Sequence, residues 1–177
     1  MINQYFLNRE VVIFPYDKHW VLMFEEEKKR IFSAIGKYHV VVEHVGSTAI
    51  PDMVAKPIID IMVGTKDLAI ADQCIAPLET IGYEYIPEFE DKFPERRYLH
   101  RGPNLPNQHY HLHMVEIGSE FWNKQLLFRN YLCKHRDKAN EYQQLKETLA
   151  KQFQRDPRGY CDAKSAFIQG VLALAKE

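Results

Sequence analysis

The stretch His44-Val45-Gly46-Ser47-Thr48-Ala49-Ile50-Pro51, followed after Asp52-Met53-Val54 by Ala55-Lys56-Pro57-Ile58-Ile59-Asp60-Ile61-Met62-Val63, decides the reading of this chain. Val40 to Val45 is rich in β-branched residues and reads as a strand. Gly46 ends it, because a residue without Cβ lets the backbone turn sharply or approach a ligand. Ser47 and Thr48 add hydroxyls, and the backbone N–H groups of this turn can face an anion. The second strand runs from about Pro57 to Gly64 and is almost wholly apolar, yet it carries Asp60. A carboxylate in a buried strand is unfavourable unless it is paired, hydrogen-bonded or on a metal, so Asp60 marks a site.

Working outward, Asp17 is placed to cap a helix running to about Lys37, with Trp20, Met23, Phe24, Ile31 and Ile35 on one stripe. Asp67 is placed to cap a second helix, to about Thr80. A short strand at 83–86, a loop at 87–94, a strand at 96–100 and a turn at 101–108 follow. His109 to Ile117 alternates as a strand does. The last three strands read as an antiparallel meander beside the first two. Past Gly118 the period becomes helical, with helices expected at about 119–136, 138–154 and 161–175. Asp156-Pro157-Arg158-Gly159 is expected to break the chain between the last two. The fold class is therefore α+β: one domain over 1–177, with a sheet-containing core to residue 118 and C-terminal helices beyond it.

The chain has 177 residues, 46% hydrophobic and 27% charged, which suits a single globular domain with a sizeable core. A formal net charge of -1 gives no strong nucleic-acid signal and no membrane signal. The distribution is uneven: residues 124–164 hold ten Lys/Arg and five Asp/Glu. That excess is either a set of solvated helix faces or a basic wall facing a phosphorylated ligand. Cys74, Cys133 and Cys161 have no redox or metal-ligand spacing, and Met1-Ile2-Asn3-Gln4 lacks a signal-peptide pattern. A cytoplasmic location is the expectation.

On a strand, alternate side chains share a face. If the Asp60 strand neighbours the strand at 109–117, Asp60 can meet His111 and His113. One carboxylate and two imidazoles suit Zn, Mn or Fe better than Mg, which prefers oxygen. Lys56 is close enough to the glycine turn to supply a point charge to phosphate. Arg129 sits beside the apolar stripe of its helix, a place for a half-buried guanidinium gripping a phosphate or an interior acid. Lys146 and Lys164 hold similar flank positions, and Tyr160 lies four residues before Lys164.

The segment from His44 to Val63 resembles the signature of the GrpB family, predicted nucleotidyltransferase-like proteins. The resemblance continues at His111-Leu112-His113, at Phe128-Arg129-Asn130-Tyr131-Leu132, from Tyr142 to Lys146, and at Tyr160 and Lys164. It implies a fold like that of DNA polymerase beta-like nucleotidyltransferases: about five strands in a mixed, largely antiparallel sheet with a C-terminal helical layer. It also implies that Gly46, Ser47 and Thr48 hold a nucleotide phosphate, helped by Lys56, Arg129 and Lys146. Carboxylates on the next strand would hold a divalent metal (Mg, Mn or Zn). The usual nucleotidyltransferase pattern has a second carboxylate two residues after the first, where this chain has Met62, so either His111, His113 or Glu116 supplies the missing ligand or the chain binds a nucleotide without the usual catalysis. The family pattern favours Asp where this chain has Asn130, so any ion pair made there is changed. The expected function is binding of a nucleotide or other phosphorylated small molecule, with metal-dependent nucleotidyl transfer by Asp60, His111 and His113. The alternatives are a metal-dependent hydrolase with an Asp/His/His site and a non-catalytic ligand-binding or scaffold module.

Overall fold

The computed structural model describes residues 10–102 and 109–176. The residues read as a signal-free start, and most of the turn expected at 101–108, lie outside the described residues. Strands β1 (Val41–Val45), β2 (Ile58–Thr65), β3 (Glu84–Tyr85), β4 (Arg96–Arg101) and β5 (His109–Glu116) form one open sheet in the order β1-β2-β5-β4-β3. The β3-β4-β5 meander is antiparallel, as is β1 on β2. β2 and β5 are parallel, which makes the sheet mixed but mostly antiparallel. A parallel pair needs a long crossover, and here it contains a helix and the β3–β4 hairpin.

Helices α1 (His19–Ile35) and α2 (Leu68–Glu79) cover one face of the sheet. Trp20, Phe24, Ile31 and Ile35 of α1 and Ala71, Cys74 and Leu78 of α2 pack on Ile59, Ile61, Val63, Leu99, Leu112 and Met114. Each large aliphatic side chain buried in this layer contributes about 1.5–3 kcal/mol. Asp67 caps α2 as expected, its Oδ1 accepting from the Ile70 N–H at 2.9 Å. Asp17 accepts from the His19 N–H at 2.9 Å, just ahead of α1. That helix stops at Ile35, and the chain continues as a 3-10 turn over Gly36–Tyr38.

The opposite face meets the C-terminal helices α3 (Glu120–Lys134), α4 (Arg136–Gln152), α5 (Pro157–Asp162) and α6 (Ser165–Leu174). The single helix expected at 161–175 is divided, and Asp156-Pro157 starts a helix rather than merely breaking one. The Asp156 Oδ1 accepts from the Gly159 N–H at 2.9 Å, and Pro157 occupies the first turn, where its missing N–H has no helical partner to lose. Trp122 of α3 packs with Val45, Met62 and Val115 over one end of this face. Gly64 makes the room: a Cβ there would lie 2.6 Å from the Trp122 ring.

The register sorts the polar residues of this second face into ranks that cross the sheet. Val45, Asp60, His111, His100 and Glu84 are consecutive cross-strand partners, and Glu43, Met62, His113 and Tyr98 form the adjacent rank. The strand pairing on which the Asp60–histidine expectation depended is therefore present.

Candidate functional site

The site begins at the turn between β1 and β2. Gly46 has φ +72° and ψ -171°, backbone that is essentially restricted to glycine. A Cβ on it would lie 2.3 Å from Asp60 Oδ2, so the missing side chain also lets the carboxylate lie directly against the turn. Ser47–Ala49 then forms a single 3-10 turn. Ile50 and Met53, next along the chain, are buried among Leu132, Ala139, Tyr142 and Val171 of α3, α4 and α6. The loop is thus fixed between the sheet and the helical layer.

A cavity of about 300 Å³ opens on this turn. Gly46, Ser47 and Asp60 form its sheet side, Phe128 and Ile168 supply apolar wall, and Lys124, Gln125, Lys164 and Gln169 supply polar groups from α3 and from the start of α6. Asp60 faces it with a side chain 32% exposed. Burial alone would raise the Asp60 pKa. The hydrogen bond and charge of His111, with smaller effects of His113 and His44, hold it below the usual carboxylate range. His111 Nδ1 lies 3.4 Å from Asp60 Oδ1.

The two expected imidazole partners part company here. His111 is beside Asp60, whereas His113 is opposite Met62, one rank along. Its ring packs near Tyr98 and Phe121, and burial together with the Arg96 charge drops its pKa to about 3, which keeps it neutral. Glu116 ends β5 opposite Thr65, five positions along the ladder from the Asp60–His111 pair and on the other face, so it does not reach Asp60. Met62 is fully buried against Trp122. Among the described residues no group of three His, Cys, Asp or Glu side chains is arranged to hold a metal ion. The donors present do not fit the expected Asp60–His111–His113 centre for Mg, Mn or Zn, and no step is derived through one.

The phosphate-site residues named from sequence divide in the same way. Lys146 of α4 is 1% exposed, and its Nζ donates to Ser47 Oγ at 3.1 Å and to the Val54 carbonyl. Burial, and then the nearby charge of Lys164, push Lys146 down to about 7. Lys56 stands over the Tyr160 ring at 5.1 Å and Lys164 over the same ring at 4.3 Å. Lys146 stands over Tyr142 at 4.8 Å. Burial also lowers Lys164. Thr48 is turned inward: its Oγ1 is 3.0 Å from His44 Nε2 and donates to the Ile58 carbonyl. Arg129 ties α3 to β1, donating to Glu43 Oε2 and to the His44 carbonyl, each at 2.7 Å. Its Nε–H goes to Asn130 Oδ1 at 3.0 Å, so Asn130 offers a neutral acceptor where the family pattern has an acid.

Sequence reading noticed Lys164, Tyr142 and Tyr160 but gave them no part in the site, and it missed Lys124, Gln125 and Gln169 altogether. The basic excess over 124–164 was the available signal. Which of its ten cations reach the turn depends on how four helices pack.

The fold and site together define a mixed α/β protein whose open sheet carries a glycine turn, an adjacent carboxylate and a group of lysines at one cavity. The chain belongs to the GrpB family: residues 10–174 match the family model described as GrpB protein. The UPF0157 protein YqkA of Bacillus subtilis is 35% identical over 168 residues, a match that covers 95% of this chain and 48% of that protein. The chain thus spans about half the length of this relative. The crystal structure of conserved protein GrpB from Enterococcus faecalis is similar with a TM-score of 0.81 and 34% identity, over 93% of this chain and 96% of that one. A dephospho-CoA kinase of Mycolicibacterium paratuberculosis is 30% identical over 93% of this chain and 46% of its own length. Among the described residues no helix is long and apolar enough to cross a membrane.

Proposed function

We propose that this protein binds a phosphorylated small molecule, nucleotides included, with a phosphate seated on the Gly46-Ser47 turn. One observation carries the reading: Lys146 bonds Ser47 Oγ of this turn, Lys164 lines the cavity beside it, Lys56 shares the Tyr160 ring with Lys164, and none of the three forms an ion pair with an acid among the described residues. Like charges gathered in a half-buried place are unfavourable alone and become favourable around an anion. Burial first, and then the Lys164 charge, lower the Lys146 pKa to about 7.

Asp60 gives the site a reactive group beside the anion. With His111 against Oδ1 and its other oxygen facing Gly46 at the cavity, it is placed to accept a proton from a ligand hydroxyl. A hydroxyl so activated next to a bound phosphate is the arrangement for phosphoryl or nucleotidyl transfer. The β1–glycine turn–β2 unit with Asp60 on β2 supports assigning the sheet to the nucleotidyltransferase type. The dephospho-CoA kinase relative matches this chain over less than half of itself, which recommends coenzyme A precursors as ligands to try.

The test is a thermal-shift screen of nucleoside mono-, di- and triphosphates, dephospho-CoA and sugar phosphates. A ligand that binds only the folded state raises Tm by mass action, about 2.7 kcal/mol of added stability at a hundred times Kd. The expected result is a shift that depends on the phosphate group and is lost in Ser47→Ala and Lys164→Met. A shift unchanged in both variants would place the ligand elsewhere and reject the reading.

A further inference from the structure

Among the described residues no three His, Cys, Asp or Glu side chains are grouped to hold a divalent ion, while lysines stand at the same turn. We propose that the phosphorylated ligand is bound without a divalent cation, its charge being met by Lys56, Lys146 and Lys164. This rests on the reading of the turn as a phosphate site.

Three observations lead there. First, the strand position two residues after Asp60 holds Met62, whose thioether is fully buried with Val45, Val115 and Trp122 and is no ligand for a hard cation. Second, among the described residues Asp60 is the lone carboxylate that lines the cavity. Its one close imidazole is His111, whose Nδ1 lies 3.4 Å from Oδ1, and among the described residues no third His, Cys, Asp or Glu completes a metal-holding group. Third, lysine side chains already stand at the same turn. Lys146 is bonded to Ser47 Oγ itself, Lys164 lines the cavity beside Asp60, and Lys56 shares the Tyr160 ring with Lys164.

A divalent ion brought beside Asp60 would meet the Lys164 charge and a single carboxylate. A phosphate, by contrast, meets the charges that oppose its own, and the lysine ammoniums are compact point charges that follow a phosphate of any orientation. The ligand class that follows is a metal-free phosphomonoester or short polyphosphate. A magnesium-chelated triphosphate, whose charge is already covered, fits less well.

Isothermal titration of the full chain with inorganic pyrophosphate, AMP and ATP distinguishes the cases, each run in EDTA and then in excess MgCl2 or MnCl2. The expected result is binding in EDTA that is equal to or tighter than binding with the metal. In EDTA, Lys164→Met and Lys56→Met should each weaken it by about tenfold, the size of one lost charge-assisted contact. The wild-type comparison stands even if a lysine variant folds poorly. Binding abolished by EDTA and restored by Mg or Mn would overturn this inference and leave the phosphate reading intact. Absence of binding by all three ligands in both conditions would overturn the two together.

Discussion

Gly46 and Lys146 show how single residues set the site. Gly46 combines a glycine-only backbone conformation with a carboxylate packed where its Cβ would be. Gly46→Ala should therefore cost about 1–3 kcal/mol from the backbone alone, with the displacement of Asp60 added to it. Urea unfolding measures the loss, and a change under about 0.5 kcal/mol, the ordinary surface range, would contradict the argument. Lys146 makes a prediction about pH. Its folded pKa of about 7 lies below the ordinary lysine value of 10.5, so between these limits the unfolded chain binds more protons than the folded one. Stability then rises with pH from about 7 toward 10.5, with a slope approaching about 1.4 kcal/mol per pH unit, and the penalty is fully present below pH 7. Lys146→Met should remove that part of the slope in unfolding curves recorded from pH 6 to pH 10. An unchanged slope would mean that the buried amine keeps its proton. At this scale Asp60 and Gly46 were legible from sequence, because an acid in an apolar strand and a glycine between two strands each have few explanations. Thr48 was not: a hydroxyl beside a glycine turn reads the same whether it faces a ligand or, as here, bonds His44 and the Ile58 carbonyl.

Whole elements were legible where local chemistry decides them. Asp67 starts α2, the β-branched runs form β1 and β2, and the meander pairs as alternation suggests. Two features depended on tertiary structure. The parallel pairing of β2 with β5 joins strands more than forty residues apart, and only that pairing puts His111 rather than His113 beside Asp60. Arg129 is the other case. Its place at the edge of an apolar stripe suited a phosphate or an acid equally, and the crossing of α3 over β1 brings it to Glu43. With side chains 19% and 32% exposed, the pair is only partly screened, and Arg129 also satisfies the His44 carbonyl at the lip of the glycine turn. Arg129→Met should cost about 2 kcal/mol, in the range for hydrogen bonds to charged groups. Adding Glu43→Gln to that variant should cost much less than Glu43→Gln alone, because the partner is already gone. A double-mutant cycle in chemical denaturation gives both numbers, and strict additivity would deny the coupling.

At the scale of the molecule, the sheet and the C-terminal helices each hold half of a site. The sheet supplies Gly46, Ser47 and Asp60, and the helices supply Lys146, Lys164 and the cavity wall of Phe128, Ile168 and Gln169. The basic excess over 124–164 is then two things at once. Lys164 lines the cavity and Lys146 is buried against Ser47, while Lys151, Arg155 and Arg158 remain on exposed positions. A ligand at the turn would bridge the two halves, and bridging stabilises most what it touches on both sides. Amide hydrogen exchange with a saturating phosphorylated ligand should therefore slow in residues 46–50 and across α5 and α6, which hold the cavity to the turn. Exchange in α1 and α2, behind the opposite face of the sheet, should change far less. Protection confined to α1 and α2 would show that binding occurs on the other face. Protection spread evenly over the chain would mean that the two layers open only together.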